Sequence, residues 1–405
     1  MPDQHTRKVW LTVWVAALGY FVDIYDLLLF IIIRIPSLRG IGITEDAAIK
    51  DYGILLLDIQ MLGLLIGGLL WGILGDKKGR LSVLFGSILI YSLANIANGF
   101  VTNITQYAIL RFIAGIGLAG ELGAGITLVN EVMSKENRGY GVTIVASVGL
   151  LGAVAASLIG DSFDWRVAYW VGGSMGLLLL LLRVGVAESG LFHQSKSEGA
   201  RRGDLRLLWA KPGRLRTYFY CILGTVPVWY VIGLLIAFSK EFGQMLGMSE
   251  LPSPGRAIMF TYLGLSVGDM LSGVLSQKLK SRKSVQYLFM VLSGLSSGVY
   301  LYVTFSLTAF YVLCFVMGIF AGYWVISITS ASEQFGTNLR ATVTTTVPNF
   351  VRGSLVLITL AYSALEGQIG MLSAALWVGL LCYALAIFSV SRLEETYGKD
   401  LNFQE

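Results

Sequence analysis

Long apolar stretches follow one another along the whole chain, and short polar segments separate them. A helix that crosses a bilayer needs about 20 apolar residues, and each stretch has roughly this length. Strands of a membrane barrel would alternate polar and apolar residues, whereas residues 176–182 are apolar throughout. The pattern predicts an all-α membrane protein with twelve spanning helices, at residues 9–34, 53–75, 81–102, 105–133, 140–160, 166–187, 216–240, 257–277, 285–305, 308–332, 341–364 and 369–391.

The composition agrees with a membrane protein. Of the 405 residues, 55% are hydrophobic and 14% are charged, and the mean hydropathy is +0.70. A soluble protein usually has about 25% charged residues. Residues 1–8 are too few and too polar for a cleaved signal peptide, so we expect the first helix to be retained.

The distribution of basic residues predicts the orientation in the membrane. With the N-terminus inside, cytoplasmic segments hold 22 of the 30 Lys and Arg residues, and external loops hold five. Basic residues concentrate on the cytoplasmic side of membrane proteins. We therefore expect a multi-pass protein of the plasma (inner) membrane with both termini in the cytoplasm. The basic segment 196–216 is interpreted as a topology anchor and not as a nucleic-acid site.

Cysteine and histidine usage argues against an enzyme. Cys221, Cys314 and Cys382 fall within predicted spans and are expected to be small buried apolar residues. The two histidines, His5 and His193, lie outside the spans, which excludes a histidine-rich metal site within the membrane. With no nucleophile–base pair or metal cluster visible, we expect no enzyme activity, no cofactor and no metal.

Two parts of the chain have similar charged and glycine residues at matching positions, which indicates an internal duplication. The polar segment 188–216 separates six predicted spans from six more. An E-x6-R pattern occurs at Glu131–Arg138 and again 202 residues later at Glu333–Arg340. Glycines 63, 67 and 72 are followed, at an offset of 201, by glycines 264, 268 and 273. We predict an N-terminal bundle at residues 1–187, a linker at 188–215 and a C-terminal bundle at 216–405.

Several motifs resemble those of a known family. The stretch GILGDKKGR at 72–80 resembles the signature between helices 2 and 3 of the major facilitator superfamily. The stretch RFIAGIGLAGELGAGITLVNEV at 111–132 is similar to the metabolite:proton symporter branch. RVGVAESGLF at 183–192 and LEETYGKDL at 393–401 resemble signatures shared with sugar porters. The chain departs from these patterns at Gln277, where the second copy of the first motif would have an acid, and at Gly190, where a proline would stand.

The resemblance implies a fold and a mechanism. It implies two pseudo-symmetric six-helix bundles with a substrate site between them near the middle of the membrane. Rocking of the bundles would then give alternating access. One chain contains both halves, so we expect it to function as a monomer.

Acidic residues within the spans are candidate proton carriers, because a charge at the centre of a spanning helix costs about 2.5–3.5 kcal/mol. Asp23 and Asp26 share one helical face with Arg34, which lies about 20° from Asp23 and about 80° from Asp26 on the helical wheel. Tyr20 lies one turn before them. The alternative is a structural network in which the arginine neutralises an acid.

Glu121 is the third candidate proton carrier. It lies ten residues after Arg111, or about 15 Å along a helix, so these two cannot pair within it. A partner must come from another helix, or the carboxyl stays protonated and hydrogen-bonded.

Arg352 is the leading candidate for substrate binding. It forms a polar stripe with Thr345 and Asn349, and a guanidinium keeps its charge and fits a carboxylate or phosphate. The alternative is an ion pair with Asp269, which could itself contact substrate or titrate. Further candidates for the substrate cavity are Arg34, Arg111, Tyr20, Trp229, Tyr230, Tyr323 and Trp324.

The family resemblance assigns a set of charged residues near the inner ends of helices to a cytoplasmic gate: Asp76, Arg80, Glu131, Arg138, Glu333 and Arg340.

The sequence favours a proton-coupled symporter that imports a small hydrophilic metabolite, with an organic anion as the preferred class. A neutral sugar or polyol importer, with Arg352 paired internally, is an alternative. An exporter of lipids or drugs is another, although the helix 5 motif G-P-x2-G-G of antiporters is absent. A substrate sensor would bind ligand without transporting it.

Overall fold

The computed structural model describes residues 4–78, 80–121, 138–187 and 212–398, with residues 125, 129 and 133 in addition. Within these ranges every regular element is helical. The chain divides into two compact units, Met1–Gly203 and Asp204–Glu405. The division falls inside the predicted linker.

The N-terminal unit contains one described helix for each of its six predicted spans. They are α1 Gln4–Gly40, α2 Asp46–Lys78, α3 Arg80–Asn98, α4 Ile104–Leu118, α5 Arg138–Ser162 and α6 Trp165–Ala187. α1 continues past Pro36, although proline removes a backbone hydrogen bond from a helix.

In the C-terminal unit several predicted spans are broken into shorter helices. Its elements are α7 Pro212–Leu223, α8 Val226–Trp229, a π-helix Tyr230–Ile236, α9 Ser239–Met245, α10 Pro254–Lys278, α11 Arg282–Tyr302, α12 Leu307–Ala321, α13 Trp324–Glu333, α14 Thr337–Gly353, α15 Leu355–Ile369 and α16 Met371–Arg392.

The predicted spans correspond to helices of the structure. Among the described residues, ten helical stretches are long and apolar enough to cross a membrane, and the shorter apolar helices Val83–Asn98 and Ile104–Leu118 occupy the positions of the third and fourth spans. The prediction of an all-α membrane fold with twelve helices in two bundles is confirmed.

Three spans of the C-terminal unit are discontinuous, and local sequence explains where two of them break. Pro227 lies in the first turn of α8, the second piece of the seventh span, where proline is well tolerated. The tenth span breaks at Gly322 and Tyr323, where α12 ends and α13 begins. The eleventh span breaks at Ser354.

The same glycine contact joins two helices in each unit. A side chain at Gly63 or Gly67 of α2 would collide with the backbone carbonyls of Phe112 or Ile116 in α4. In the second unit, Gly264 and Gly268 of α10 face the carbonyls of Phe315 and Ile319 in α12 in the same way. Small residues let membrane helices approach closely. The repeated spacing in the sequence therefore corresponds to a repeated helix crossing.

We predict that Gly264→Ala lowers the thermal stability of the protein, because its new methyl group would meet the backbone of α12, which cannot move aside as a side chain can. Overpacking of this kind costs about 1–3 kcal/mol. Gly273→Ala is the matched control on the same helix, since a methyl group there meets no other atom within 4 Å. Tryptophan-fluorescence melting in detergent should show a lower Tm for the first variant only. Equal melting temperatures would show that the α10–α12 contact is not tight.

Candidate functional site

The five charged site candidates within the spans of the N-terminal unit are buried. The exposed fraction is 2% or less for each of Asp23, Asp26, Arg34, Arg111 and Glu121. Because lipid cannot solvate these charges, each must be stabilised by other groups of the protein.

Asp26 lies in a buried polar environment between α1, α3 and α6. The charges of Arg111 and Asp23 and the amide of Asn95 act on its carboxyl group. Gly172 of α6 packs directly against the Asp26 Oδ1 atom, and a side chain there would collide with it. Arg111 of α4 is therefore a cationic neighbour of Asp26 from another helix.

Arg111 is held by an amide and two aromatic rings. Its Nη2 donates to Oε1 of Gln60. Its guanidinium lies 5.0 Å from the ring centre of Phe30 and 5.9 Å from that of Tyr169. Cation–π contacts of this kind stabilise a buried cation without neutralising it. The positive charge thus remains available to an anionic group such as Asp26.

A hydroxyl network extends the Arg111 environment towards the end of α1. The hydroxyls of Tyr107 and Tyr169 are 2.7 Å apart, and Tyr107 Oη donates to Ser37 Oγ at 3.1 Å. Arg34, one turn before Ser37, packs against Gly53 of α2.

Asp58 of α2 is also buried, with 8% exposure. It is an acid inside a predicted span, and this signal could have added it to the candidates.

Glu121 forms an ion pair with Arg183 of α6. Both guanidinium Nη atoms donate to its carboxylate, with an Nη1–Oε2 distance of 2.9 Å, and the two side chains are 1% and 6% exposed. Bidentate pairs of this kind are the strongest that arginine makes with a carboxylate. The partner of Glu121 therefore comes from another helix, which is the first of the two alternatives given for this residue in the sequence analysis.

Arg183 itself is a correction to the sequence analysis. The 22 basic residues assigned above to cytoplasmic segments include Arg183, whereas the structure buries it against Glu121. Gly19 of α1 lies against this pair and leaves no room for a side chain. The signal available in the sequence was its place inside the sixth apolar stretch.

In the C-terminal unit, the predicted polar stripe of α14 is buried. Arg352 is 2% exposed and Asn349 is 3% exposed. The Asn349 amide donates to the Thr345 carbonyl one turn earlier, at 3.1 Å. The stripe thus brings a permanent cation and an amide to one face of a helix inside the membrane.

Asp269 contacts the start of a broken helix. Its Oδ1 accepts a hydrogen bond from the backbone N–H of Val325, in the first turn of α13, at 3.2 Å. Gly322 at the break packs against the backbone of Gly268 and Asp269. An acid at a helix N-terminus satisfies a free N–H group and the helix dipole. The contact found for Asp269 is this cap, and not the ion pair with Arg352 considered above.

The four aromatic candidates of the C-terminal unit are buried side chains at helix breaks. Trp229 and Tyr230 are 2% and 1% exposed at the start of the π-helix. The Tyr230 hydroxyl donates to the Ala375 carbonyl at 2.9 Å, so it ties the π-helix to α16. Tyr323 and Trp324 lie at the break between α12 and α13, with exposures of 0% and 6%. In the N-terminal unit, the ring of Tyr20 packs against Gly149 of α5.

Of the predicted gate, the structure describes one side chain, that of Glu333. Its Oε1 accepts from Arg282 at 3.3 Å and its Oε2 accepts from Thr396 Oγ1 at 2.7 Å. The other five side chains lie outside the part that the structure describes: Asp76, Arg80, Glu131, Arg138 and Arg340.

Glu395 was missed by the sequence analysis and joins the segment after α16 to the start of α11. Its carboxylate accepts from Ser281 Oγ at 2.5 Å and from the backbone N–H groups of Arg282 and Lys283 at 2.9 and 3.2 Å. It also accepts from the N–H of Tyr397 at 3.0 Å. Partial burial raises the pKa of Glu395, but these hydrogen bonds together lower it by a larger amount. The net pKa therefore lies below its ordinary value of 4.5.

The structure offers no evident metal site. Within the described ranges, no group of three or more His, Cys, Asp and Glu side chains is placed to hold a metal ion.

Comparison with known proteins identifies the class. The sequence profile of the Major Facilitator Superfamily matches residues 9–358, most of the chain. The chain belongs to this superfamily, and it is an integral multi-pass membrane transporter and not an enzyme.

Individual relatives are transporters of small molecules. A probable 4-methylmuconolactone transporter of Cupriavidus pinatubonensis is 25% identical over 96% of this chain and 91% of its own length. The 3-(3-hydroxy-phenyl)propionate transporter of Escherichia coli is 29% identical over 81% of this chain and 82% of its own. Among solved structures, the proton:xylose symporter XylE has a TM-score of 0.69 at 18% identity, with 98% of each chain covered. This last likeness shows the shared fold.

We predict that the Glu121–Arg183 pair stabilises the folded state of the N-terminal unit. Glu121→Leu leaves a buried cation without its counter-charge and should cost about 3–5 kcal/mol, whereas the double variant with Arg183→Met should recover most of this loss. Thermal melting of the purified variants measures both. The matched control is Arg39→Ala, which breaks an exposed ion pair with Asp46 and should cost less than about 1 kcal/mol. A double variant no more stable than Glu121→Leu would contradict a structural pair.

We predict that acid weakens the attachment of the segment after α16. Because the folded pKa of Glu395 is lowered, its stabilising contribution is complete above the unfolded pKa near 4.5 and is lost as the pH falls through the lowered value. Hydrogen-exchange protection of the amides of Arg282 and Tyr397 should therefore decrease below pH 4.5 and be constant above pH 6. Ala309 is the control, because its amide donates to the hydroxyl of Ser306, which does not titrate. In Glu395→Gln the step in protection should disappear, and a step that persists would assign it to another group.

Proposed function

We propose that the chain is a proton-coupled symporter that imports small organic acids across the plasma membrane by alternating access. The observation that carries this proposal is the burial of Arg352, a permanent cation, on the polar stripe of α14 within the membrane. A buried guanidinium calls for an anion, and its planar fork matches a carboxylate.

The relatives support an organic acid as the substrate. One is named for a phenylpropionate, whose carboxylate is joined to an aromatic ring, and another for a muconolactone. A substrate of this class offers an anion for Arg352 and Asn349 and an apolar ring for aromatic side chains. Trp229, Tyr230, Tyr323 and Trp324 are the candidates for ring contact, and Arg34, Tyr20 and Asp269 remain candidates for other contacts.

Asp26 is the preferred proton carrier, with Asp23 and Glu121 as the other candidates. Arg111 acts on the Asp26 carboxyl but is itself held by Gln60 and aromatic rings, so it can remain in place when Asp26 becomes neutral. A carboxyl whose counter-charge is not fixed to it can exchange a proton at low cost. Glu121 is bound to Arg183 through both oxygens, which favours a structural role.

The charges at the ends of helices support the orientation of the protein in the membrane and the position of its cytoplasmic gate. The excess of Lys and Arg in alternate loops supports cytoplasmic termini. On this orientation, the contacts of Glu333 with Arg282 and Thr396 lie at the cytoplasmic side, where they would act with the other predicted gate residues. These residues should affect rates of opening and closing, not the choice of substrate.

The test is uptake into proteoliposomes that contain the purified full-length protein. Benzoate, nicotinate, 3-(3-hydroxyphenyl)propionate, succinate and xylose are offered with and without an inward proton gradient. We expect the gradient to drive accumulation of at least one aromatic carboxylate and not of xylose. Arg352→Ala should reduce that uptake at least tenfold. Arg392→Ala is the control variant and should leave uptake unchanged, because Arg392 is exposed and lies outside any buried polar stripe.

Asp26→Asn separates proton coupling from binding. It should abolish gradient-driven accumulation while leaving exchange of labelled for unlabelled substrate across the membrane. Accumulation that survives in Asp26→Asn but not in Asp23→Asn would move the proton site to Asp23. Accumulation of xylose that survives Arg352→Ala would instead support a neutral-sugar importer.

A further inference from the structure

One face of α3 carries four polar side chains inside the N-terminal unit that the proposed mechanism does not use. Tyr91, Ser92, Asn95 and Asn98 are each 0% exposed and recur at the spacing of one helical face. We call these four residues the α3 polar face. Among the residues that the structure describes, the hydroxyls of Tyr91 and Ser92 and the amide atoms of Asn98 have no hydrogen-bond partner, and the Asn95 amide acts on the Asp26 carboxyl without a hydrogen bond of normal length.

Such a concentration of unbonded groups is energetically unusual. Each buried polar group without a partner costs about 1–3 kcal/mol. Proteins normally satisfy such groups with ordered water, which makes about three hydrogen bonds to them. The carboxylate oxygens of Asp26 also have no hydrogen bond of normal length in the described part of the chain. The same helix offers an internal comparison, because Ser87 is equally buried but bonds to the carbonyl of Leu84.

The α3 polar face begins beside Asp26. Asn95 acts directly on the Asp26 carboxyl. On α6, Gly172 packs against Asp26, and Gly176, one turn later, packs against Ser92 and the ring of Tyr91. One helical turn is about 5.4 Å, so Asp26 and the two hydroxyls are about one turn apart along α6.

The other end of the α3 polar face approaches the Glu121–Arg183 pair. Tyr91 lies within electrostatic range of both members of this pair as well as of Asp26 and Asp23. Arg183 also donates to the carbonyl of Leu84 on α3, at 3.5 Å. Tyr91 is therefore a titratable side chain of α3 within electrostatic range of both charged groups.

We propose that the α3 polar face holds a chain of ordered water molecules that conducts protons to Asp26 from the end of the face that lies near the Glu121–Arg183 pair. The evidence for the water is the set of unbonded polar groups. The role of the water in proton transfer rests on the proposed function, which is proton-coupled transport. Water and the Tyr91 hydroxyl each donate and accept, so each oxygen takes a proton from one neighbour and passes its own to the next. The proton enters from solvent, because the ion pair stays charged and a guanidinium keeps its proton. The transfer ends when the Asp26 carboxylate gains that proton, and every oxygen between is left as it began.

The first test detects the water without any substrate. Brief X-ray irradiation turns water into hydroxyl radicals that oxidise side chains beside it, and mass spectrometry locates the products in the purified full-length protein. Tyr91 should be labelled at least fivefold faster than Tyr300. Tyr300 is the matched control, because it is equally buried and its hydroxyl donates to the Leu235 carbonyl. Asn95→Leu should suppress labelling of Tyr91, and if that variant does not fold, Ser92→Val serves the same purpose. Equal labelling of Tyr91 and Tyr300 would overturn the proposal.

The second test measures whether the water conducts protons. After light-induced release of protons, time-resolved infrared spectroscopy follows the carboxyl band that is lost in Asp26→Asn. Tyr91→Phe removes one hydroxyl and should slow protonation of Asp26 at least tenfold, whereas Tyr300→Phe should leave the rate unchanged.

The two tests separate this inference from the proposed function. If Tyr91 is labelled but Tyr91→Phe leaves the protonation rate unchanged, the water is present and the proton route is wrong. If no carboxyl band depends on Asp26, the route and the choice of Asp26 as proton carrier both fail. Gradient-driven uptake with Asp23→Asn and Glu121→Gln then decides whether proton coupling itself survives.

Discussion

A lipid bilayer offers no hydrogen bonds, and this constraint governs every other feature of the protein. Each backbone N–H and carbonyl inside the membrane must be satisfied within the chain, which makes helices the economical solution. Each charged side chain must find its counter-charge or polar partners inside a bundle. The twelve apolar segments answer the first requirement. The buried polar groups that gather around Asp26, Arg111 and the Glu121–Arg183 pair answer the second.

The buried charges of the N-terminal unit differ in how firmly they are held. Arg183 binds Glu121 through two nitrogen atoms, and such a pair resists change because breaking it leaves an uncompensated charge. Arg111 is instead held by a neutral amide and aromatic rings, which do not cancel its charge. One arrangement suits a fixed support between helices. The other suits a site whose acid changes its protonation state.

The C-terminal unit solves a different problem, which is how to break helices inside the membrane without leaving backbone groups unbonded. Asp269 bonds to the N–H of Val325 at the start of α13, and Tyr300 donates to the Leu235 carbonyl of the π-helix. Broken helices at membrane depth are tolerated where other parts of the protein satisfy them, and they are common in transporters. Trp229, Tyr230, Tyr323 and Trp324 lie at these breaks, so a change in helix geometry would move them together with the backbone.

The sequence by itself determined the membrane class, the positions of the spans and the internal repeat, because apolar length and glycine spacing are local properties that lipid and close helix packing require. It also found most of the buried charges, because a charge within an apolar stretch is visible in one dimension, although Asp58 and Arg183 were recognised only in the structure. Only the tertiary structure decided their partners. The pairing of Glu121 with Arg183 joins residues 62 positions apart, and the cap that Asp269 provides joins residues 56 positions apart. Such contacts depend on which helices adjoin and how they are rotated, and neither can be read from the spacing along one helix.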